Sequence, residues 1–367
     1  MMRIFNICLL CTVFITGCQK TPQNAIENEQ QQKQPSVKTK SANHECKTLS
    51  QNLEKIGRSS TVESLTQANT QLKKCMTQAD NTQQLKWLDD STKMYKRFLD
   101  ADTDEKSLDA LSEYSYSILD NENNHPDRRT STIQVGSQEL FKKLAKRDQY
   151  LLKHQGQAYI DFQYIGEGVF EYRRQPQYIL DIFAPALPID QQRFVKQMAK
   201  DNQDILYNDA ALTISWNELV SRALFWENYL KEYPNAKFKT DAQSLLDEYR
   251  YLIFLGVDNS PVSDEFAPNT WIDPDALATI KALAKRTDTD LASTAQKFLD
   301  FIATPIEQRS EKFQIVSDSD IHEASATSES HETPNPYEQL KSLLQLSSPW
   351  EKERQKDCHV DAICIQI

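Results

Sequence analysis

A mirrored pattern of apolar residues near the start of the chain leaves little freedom in how that part can fold. Two runs share the 3, 4, 3 spacing of one helical face: Cys46, Leu49, Leu53 and Ile56, followed by Leu65, Ala68, Leu72 and Cys75. The two runs are mirror images about a midpoint just after Ser60. Residues placed in this way face each other in an antiparallel helix pair. The pattern therefore predicts an αα-hairpin whose open end is joined by a Cys46–Cys75 disulfide, with a stabilisation of roughly 3 kcal/mol.

The first 18 residues have the features of an export signal. Arg3 precedes an apolar run from Ile4 to Ile15, which is too short to span a bilayer. The run ends in Ile15-Thr16-Gly17-Cys18, which resembles the lipobox of bacterial lipoproteins. The resemblance implies that residues 1–17 are a cleaved signal peptide and that acylated Cys18 anchors the chain to a membrane. A plain signal peptide and a buried N-terminal segment are the less favoured alternatives.

The residues after Cys18 indicate a location and a tether. In lipoproteins of bacteria with two membranes, Asp at the next position commonly marks retention at the inner membrane. Gln19 stands there in this chain, which implies the outer membrane, with the protein facing the periplasm or, as an alternative, the cell surface. Residues 18–43 are rich in Gln, Asn, Lys and Ser and nearly lack large apolar side chains. This composition predicts a disordered, lipidated tether.

The chain contains seven cysteines, and their positions predict how they are used. Signal cleavage would remove the first two, lipid would occupy Cys18, and four would remain: Cys46, Cys75, Cys358 and Cys364. An even number of thiols suits an oxidising compartment. Cys358 and Cys364 are expected to close a small C-terminal loop, although pairing with other chains stays open. A redox or metal-binding role for the first pair is disfavoured, because no Cys-x-x-Cys motif or His pair lies nearby.

Helix signals recur along residues 44–305 and predict an all-α domain. Ser215 to Glu218 form a capping box, and Asp273 before Pro274 is a typical helix start. The segment 158–183 is ambiguous, because its first part alternates like a strand and two glycines could turn a hairpin. We favour helix in this segment because the neighbouring segments are helical.

The C-terminal part has a different composition. Residues 306–336 are predicted to form a flexible acidic linker, because Ser, Glu, Asp and Thr dominate from Ser317 onward. Residues 337–367 are predicted to form a short amphipathic helix and a tail closed by a cystine. We expect this end to dock back on the helical domain, with docking on a partner as the alternative.

A faint internal repeat carries a resemblance to a known architecture. Residues 223–246 combine small residues at helix-contact positions with the turn Tyr233-Pro234-Asn235, and they look like a tetratricopeptide-type hairpin of BamD-like lipoproteins. Similar positions return in residues 276–299, 53 positions later, but the period of about 34 residues of true tetratricopeptides is absent. The resemblance implies stacked antiparallel helical hairpins, in a tetratricopeptide-like superhelix or an irregular bundle, whose curved surface would bind peptides or proteins.

Composition and motifs disfavour several functions. Only 7 glycines are present, although phosphate-binding loops need glycine, and a net charge of -11 disfavours nucleic acid as a partner. Neither a His-Glu-x-x-His zinc signature nor a Gly-x-Ser-x-Gly elbow occurs in the sequence. We therefore expect no metal site, no cofactor and no catalytic residues.

Two functions from different classes remain. The favoured one is a non-enzymatic outer-membrane lipoprotein whose helical domain binds or supports an envelope protein. The alternative is a peptidoglycan-binding or lytic transglycosylase-like protein that uses the aromatic segment 159–183, although this segment has no Glu-Ser element and the Gly-Leu-Met-Gln element of that enzyme family is missing. The candidate binding surface consists of Tyr164, Glu167, Phe170, Glu171, Tyr172 and Tyr178.

Overall fold

The structure, a computed structural model, describes residues 45–124, 135–166, 168–314 and 335–350, all within the compact unit Ser41–Ile367. These residues are mostly helical, and three two-stranded antiparallel sheets lie between the helices. The helices are α1 (Leu49–Lys55), α2 (Val62–Met76), α3 (Asn81–Phe98), α4 (Glu105–Asn124), α5 (Gln138–Lys143), α6 (Lys146–Lys153), α7 (Gln177–Ile182), α8 (Ile189–Asp201), α9 (Trp216–Glu232), α10 (Lys239–Leu255), α11 (Pro274–Ala284), α12 (Leu291–Ile302), α13 (Ile306–Phe313) and α14 (Pro336–Leu343). The strands are β1 (Ile160–Gly166), β2 (Val169–Arg174), β3 (Tyr207–Asn208), β4 (Ala211–Leu212), β5 (Gly256–Val257) and β6 (Ser260–Pro261).

The N-terminal helices α1 and α2 form the hairpin that the mirrored pattern predicts. A disulfide joins Cys46 to Cys75, whose Cα atoms are 5.5 Å apart. Arg97 of α3 donates hydrogen bonds to the carbonyl oxygens of Leu53 and Ile56, so α3 supplies donors for the end of α1. The apolar stripe of the hairpin lies in the main core, where four of its leucines are fully buried: Leu49, Leu53, Leu65 and Leu72.

Two further helix pairs form much of the main core, α9 against α10 and α11 against α12. Their starts follow the sequence signals. The Ser215 hydroxyl accepts a hydrogen bond from the backbone N–H of Glu218 at the start of α9. The Asp273 carboxylate accepts one from the N–H of Ala276 at the start of α11. Both caps satisfy donors that have no partner within the helix.

The preference for helix over 158–183 is wrong for most of that segment. Strands β1 and β2 form an antiparallel hairpin in which Phe162 lies opposite Tyr172 and Tyr164 lies opposite Phe170, and only α7 is helical. Alternating side chains share one face of a strand but not of a helix, so only a strand buries these rings together. Gly166 and Gly168 enter and leave the turn with φ of 120° and 78°, values that other residues rarely adopt.

The aromatic face of this hairpin covers a second, smaller core. The rings of Phe162 and Phe170 stack with centroids 5.1 Å apart. The buried residues around them come from α4, the α5–α6 junction and α6: Tyr114, Ile118, Leu144 and Leu152. The hairpin is therefore a structural element of the domain.

The helical domain extends beyond residue 305. Helix α13 lies in the stretch predicted as flexible linker, and its Arg309 side chain is fully buried. Arg309 donates hydrogen bonds to the carbonyl oxygens of Thr304 and Phe266, and these bonds hold the helix against the domain. Helix α14 contacts α12 and buries Leu340 and Leu344. The cystine-closed end that we expect to dock back lies outside the described residues, so its docking stays a prediction.

Several predictions lie outside the described residues. They concern the signal peptide, Cys18 and the tether, the acidic stretch 315–334, Glu167, and the pair Cys358 and Cys364. In the part of the chain that the structure describes, no helix has both the length and the apolar character needed to cross a membrane.

Candidate functional site

The structure buries most of the aromatic side chains predicted to form a binding surface. Tyr178 is fully buried, and Phe170 is 4% exposed. Tyr164 and Tyr172 are half-buried on the same face of the hairpin as Phe170, whereas Glu171 is exposed on the opposite face. These residues therefore do not form one open surface. Among the described residues of this set, Phe170 and Tyr178 present no open ring face to a sugar, and the peptidoglycan alternative stays an untested prediction.

Tyr178 belongs to a buried cluster of aromatic rings around one cation. The guanidinium of Arg174 lies 4.4 Å from the ring centroid of Tyr178 and 5.2 Å from that of Tyr95. Arg174 also donates to the hydroxyls of Ser91 and Thr92 on α3. Burial raises the pKa of Tyr178, so the phenol stays neutral beside the cation. The cluster attaches β2 to α3.

The opposite face of the hairpin carries a buried ion pair. Nε of Arg173 on β2 lies 2.9 Å from the carboxylate of Asp161 on β1. The same guanidinium donates to the carbonyl oxygen of Asn202 at the end of α8, over 3.1 Å. Removing one partner of such a pair commonly costs about 3 to 5 kcal/mol, because a buried charge is left without a partner. The pair therefore fixes the position of the hairpin relative to α8.

A second buried ion network joins α8 to α9. Oδ1 of Asp201 lies 3.5 Å from Nε of Arg222 and accepts a hydrogen bond from Gln197 over 2.8 Å. Arg222 also pairs with Glu218, at 3.1 Å. Burial raises the pKa of Asp201 to about 6, and the attraction of Arg222 only partly opposes this effect. The free energy of unfolding of the domain should therefore depend on pH through the ionisation of Asp201.

The three β-hairpins lie side by side. Gly166 contacts Asn208 of β3 so closely that a Cβ atom on Gly166 would lie 2.1 Å from the amide oxygen. In the β5–β6 turn, the backbone N–H of Asn259 donates to Ala210 over 2.8 Å, and its side chain donates to Asp209 over 2.6 Å. We call this set the hairpin edge, and it comprises Gly166, Gly168, Val169, residues 207–212 and residues 256–261.

The hairpin edge exposes turns that are held by rigid elements. Val169 is 48% exposed, and the turn residues Asp209 and Asp258 are also exposed. Tyr116 of α4 is 52% exposed and lies over Gly168, where a Cβ atom would be 2.4 Å from its ring. Exposed turns on a rigid scaffold are a common location for binding residues. The hairpin edge is therefore the candidate functional site.

Sequence analysis missed the hairpin edge, although part of the signal is present. Asn208-Asp209 and Asp258-Asn259 are dipeptides typical of turns, and each follows an apolar residue. The contact between the two turns joins residues 50 positions apart, and no local pattern reports such a contact.

Metal ligands and relatives give no further indication of function. Within the described ranges, no group of three or more His, Cys, Asp or Glu side chains is placed to hold a metal ion. No family model, no curated protein and no solved structure matches the chain. The functional proposal therefore depends on the residues of the chain itself.

Proposed function

We propose that this protein is a lipid-anchored protein of the bacterial outer membrane whose helical domain binds another envelope protein. The Cys46–Cys75 disulfide is the observation that carries this proposal, because disulfides persist in oxidising compartments outside the cytoplasm. The lipobox-like sequence that ends at Cys18 is consistent with the same location. Acylated Cys18 would attach the chain to the membrane, and residues 18–43 would separate the anchor from the helical domain.

The hairpin edge is the proposed docking surface for the partner. Its residues include Asp209 and Asp258 but no Lys or Arg, and Val169 adds an exposed apolar side chain. A partner that fits this surface presents basic side chains around an apolar contact. The helix pairs α9–α10 and α11–α12 are proposed to be two units of a stack related to tetratricopeptides, which would hold the edge rigid.

Site-specific photo-crosslinking in intact cells tests this function. A photoreactive amino acid replaces Val169 or Asp258, and Gln296 on the exposed face of α12 serves as the control position. We expect one crosslinked protein from both positions in the hairpin edge and none from the control, because a docked partner lies within reach of the edge alone. The Cys18→Ala variant should lose the crosslink, because the chain is no longer held at the membrane.

Two results would contradict the proposal. One is the absence of any crosslinked protein from the hairpin edge. The other is the same set of proteins from Gln296 and from the edge, because this would indicate collisions at random.

A further inference from the structure

A cleft of 320 Å³ lies between α2 and the loop that leads into β1. One wall is the exposed face of α2, where Thr66, Thr70 and Lys73 follow each other at helical spacing. The volume is in the range of small-molecule sites. The loop contributes Gly156, Ala158 and Tyr159 to the other wall. The rest of this wall is Gln175, directly after β2, and Ile182, the last residue of α7.

The loop wall has a strained backbone that its surroundings hold in place. Ala158 and Tyr159 have φ of 46° and 62°, in the left-handed region that residues other than glycine rarely adopt. The hydroxyl of Tyr95 donates to the carbonyl oxygen of Ala158 over 2.6 Å. The N–H of Gln175 donates to the carbonyl oxygen of Tyr159 over 2.8 Å, and the Tyr159 hydroxyl donates to Asp181 over 2.9 Å. Strain that the surrounding structure maintains is found mostly at functional sites.

Polar groups next to this wall lack partners. Asn69 lines the cleft and is 6% exposed; its amide nitrogen donates to Tyr95, but its Oδ1 accepts no hydrogen bond among the described residues. Gln155, directly before the loop, is 5% exposed, and neither of its amide atoms has a partner in the described ranges. Buried amide groups without partners destabilise a fold. The Asn69 oxygen lines the cleft and is available to a bound donor, which would satisfy it.

The accessible groups of the cleft favour a ligand with a negative charge and an amide. Lys73 forms no ion pair within the described part of the chain, whereas the neighbouring Lys74 pairs with Glu45 at 2.5 Å. None of the described residues that line the cleft is Asp or Glu. The side chain of Gln175 lines the cleft and can both donate to and accept from a peptide group. The two threonine hydroxyls already donate to helix carbonyl oxygens and are left as acceptors.

We propose that this cleft binds the C-terminal end of a peptide. The terminal carboxylate pairs with the ammonium of Lys73, and the last amide group bonds to the side chain of Gln175. A small terminal side chain lies against Ala158 and Ile182, which are the apolar part of the cleft. The same chemistry is offered by a protein that ends in L-residues and by a cell-wall stem peptide that ends in D-residues. The inference does not depend on the anchor or on the hairpin edge, because the cleft shares no residue with them.

Calorimetric titration of the full-length protein tests the ligand class. The probes are N-acetyl-L-alanyl-L-alanine and N-acetyl-D-alanyl-D-alanine, and the controls are the same dipeptides with an amidated terminus. We expect one of the two acids to bind at millimolar concentration or below, and its amide to bind about tenfold more weakly or not at all, because the charge-assisted bond to Lys73 is lost. The preferred enantiomer identifies the source of the peptide.

Neighbouring lysines provide the matched variants. Lys73→Met should weaken binding of the preferred acid by about tenfold, whereas Lys74→Met should leave it unchanged, because Lys74 does not line the cleft. Both side chains are exposed, so the fold should tolerate either change. The inference is wrong if neither acid binds at millimolar concentration or if both variants weaken binding equally. Such a failure would leave the crosslinks from the hairpin edge unaffected, so the two proposals fail separately.

Discussion

Asp201 is the residue whose environment most clearly links stability to pH. Its pKa is about 6 in the folded chain, because burial opposes ionisation, against about 3.9 for an exposed Asp. The folded state therefore holds this proton more tightly than the unfolded state does. The resulting stabilisation is fully present below about pH 4 and is lost as the pH rises through 6, with an upper limit of about 3 kcal/mol.

Replacing this carboxyl by an amide should remove that part of the pH dependence. We expect the free energy of unfolding of Asp201→Asn, relative to that of the native chain, to rise between pH 4 and pH 7, because the amide cannot ionise. Urea denaturation at several pH values measures this difference. Asp204→Asn, at an exposed position three residues later, is the control and should follow the native curve. Parallel curves for Asp201→Asn and the native chain would contradict the assignment.

Single residues were predictable from sequence where their partners are local. The caps at Ser215 and Asp273 bond to N–H groups three residues away, and a short motif contains all of that information. Arg309 is the opposite case. Its side chain is fully buried and bonds to Phe266, 43 positions earlier, so its local sequence suggested only an exposed linker.

At the scale of elements, the disulfide-linked pair α1–α2 allows a direct stability measurement. In a background with Ser at Cys358 and Cys364, reductant should lower the free energy of unfolding by about 3 kcal/mol, because the disulfide restricts the unfolded chain. Cys46→Ala in the same background should be less stable by a similar amount and should not respond to reductant. Denaturant titration with and without reductant gives both values. Equal stability of all four samples would show that the disulfide does not stabilise the hairpin.

The two hairpins of the chain differ in how well sequence specifies them. In α1–α2, the 3, 4, 3 spacing of apolar residues predicts the two helices. The midpoint of the mirrored pattern predicts the turn and places the two cysteines opposite each other. In β1–β2, alternation and the glycines at 166 and 168 indicate strands, whereas the helical neighbours favour helix. The helical neighbours are a poor guide, because the aromatic face of the strands packs not only on the preceding helix α6 but also on α4, which lies well before it in the sequence.

At the scale of the whole molecule, sequence predicted a mostly helical domain but not the arrangement of its parts. The limits of the domain were misplaced at residue 305, because α13 packs through contacts with distant residues. The candidate site in the structure differs from the binding surface predicted from sequence for a similar reason. Phe170 and Tyr178 are buried in the two cores, and Tyr164 and Tyr172 pack against them. The exposed turns that form the hairpin edge meet only through tertiary contacts. Binding surfaces that are assembled from distant turns have no periodic signature.

The anchor at Cys18 is the central claim, because the location of the protein and the choice of partner both depend on it. Mass spectrometry of the N-terminal peptide from membranes of the native organism tests it directly. We expect a mature chain that begins at Cys18 and carries the added mass of acyl chains, and we expect Cys18→Ala to retain residues 1–17 without lipid. A native chain that begins at any other residue, or at an unmodified Cys18, would contradict the account.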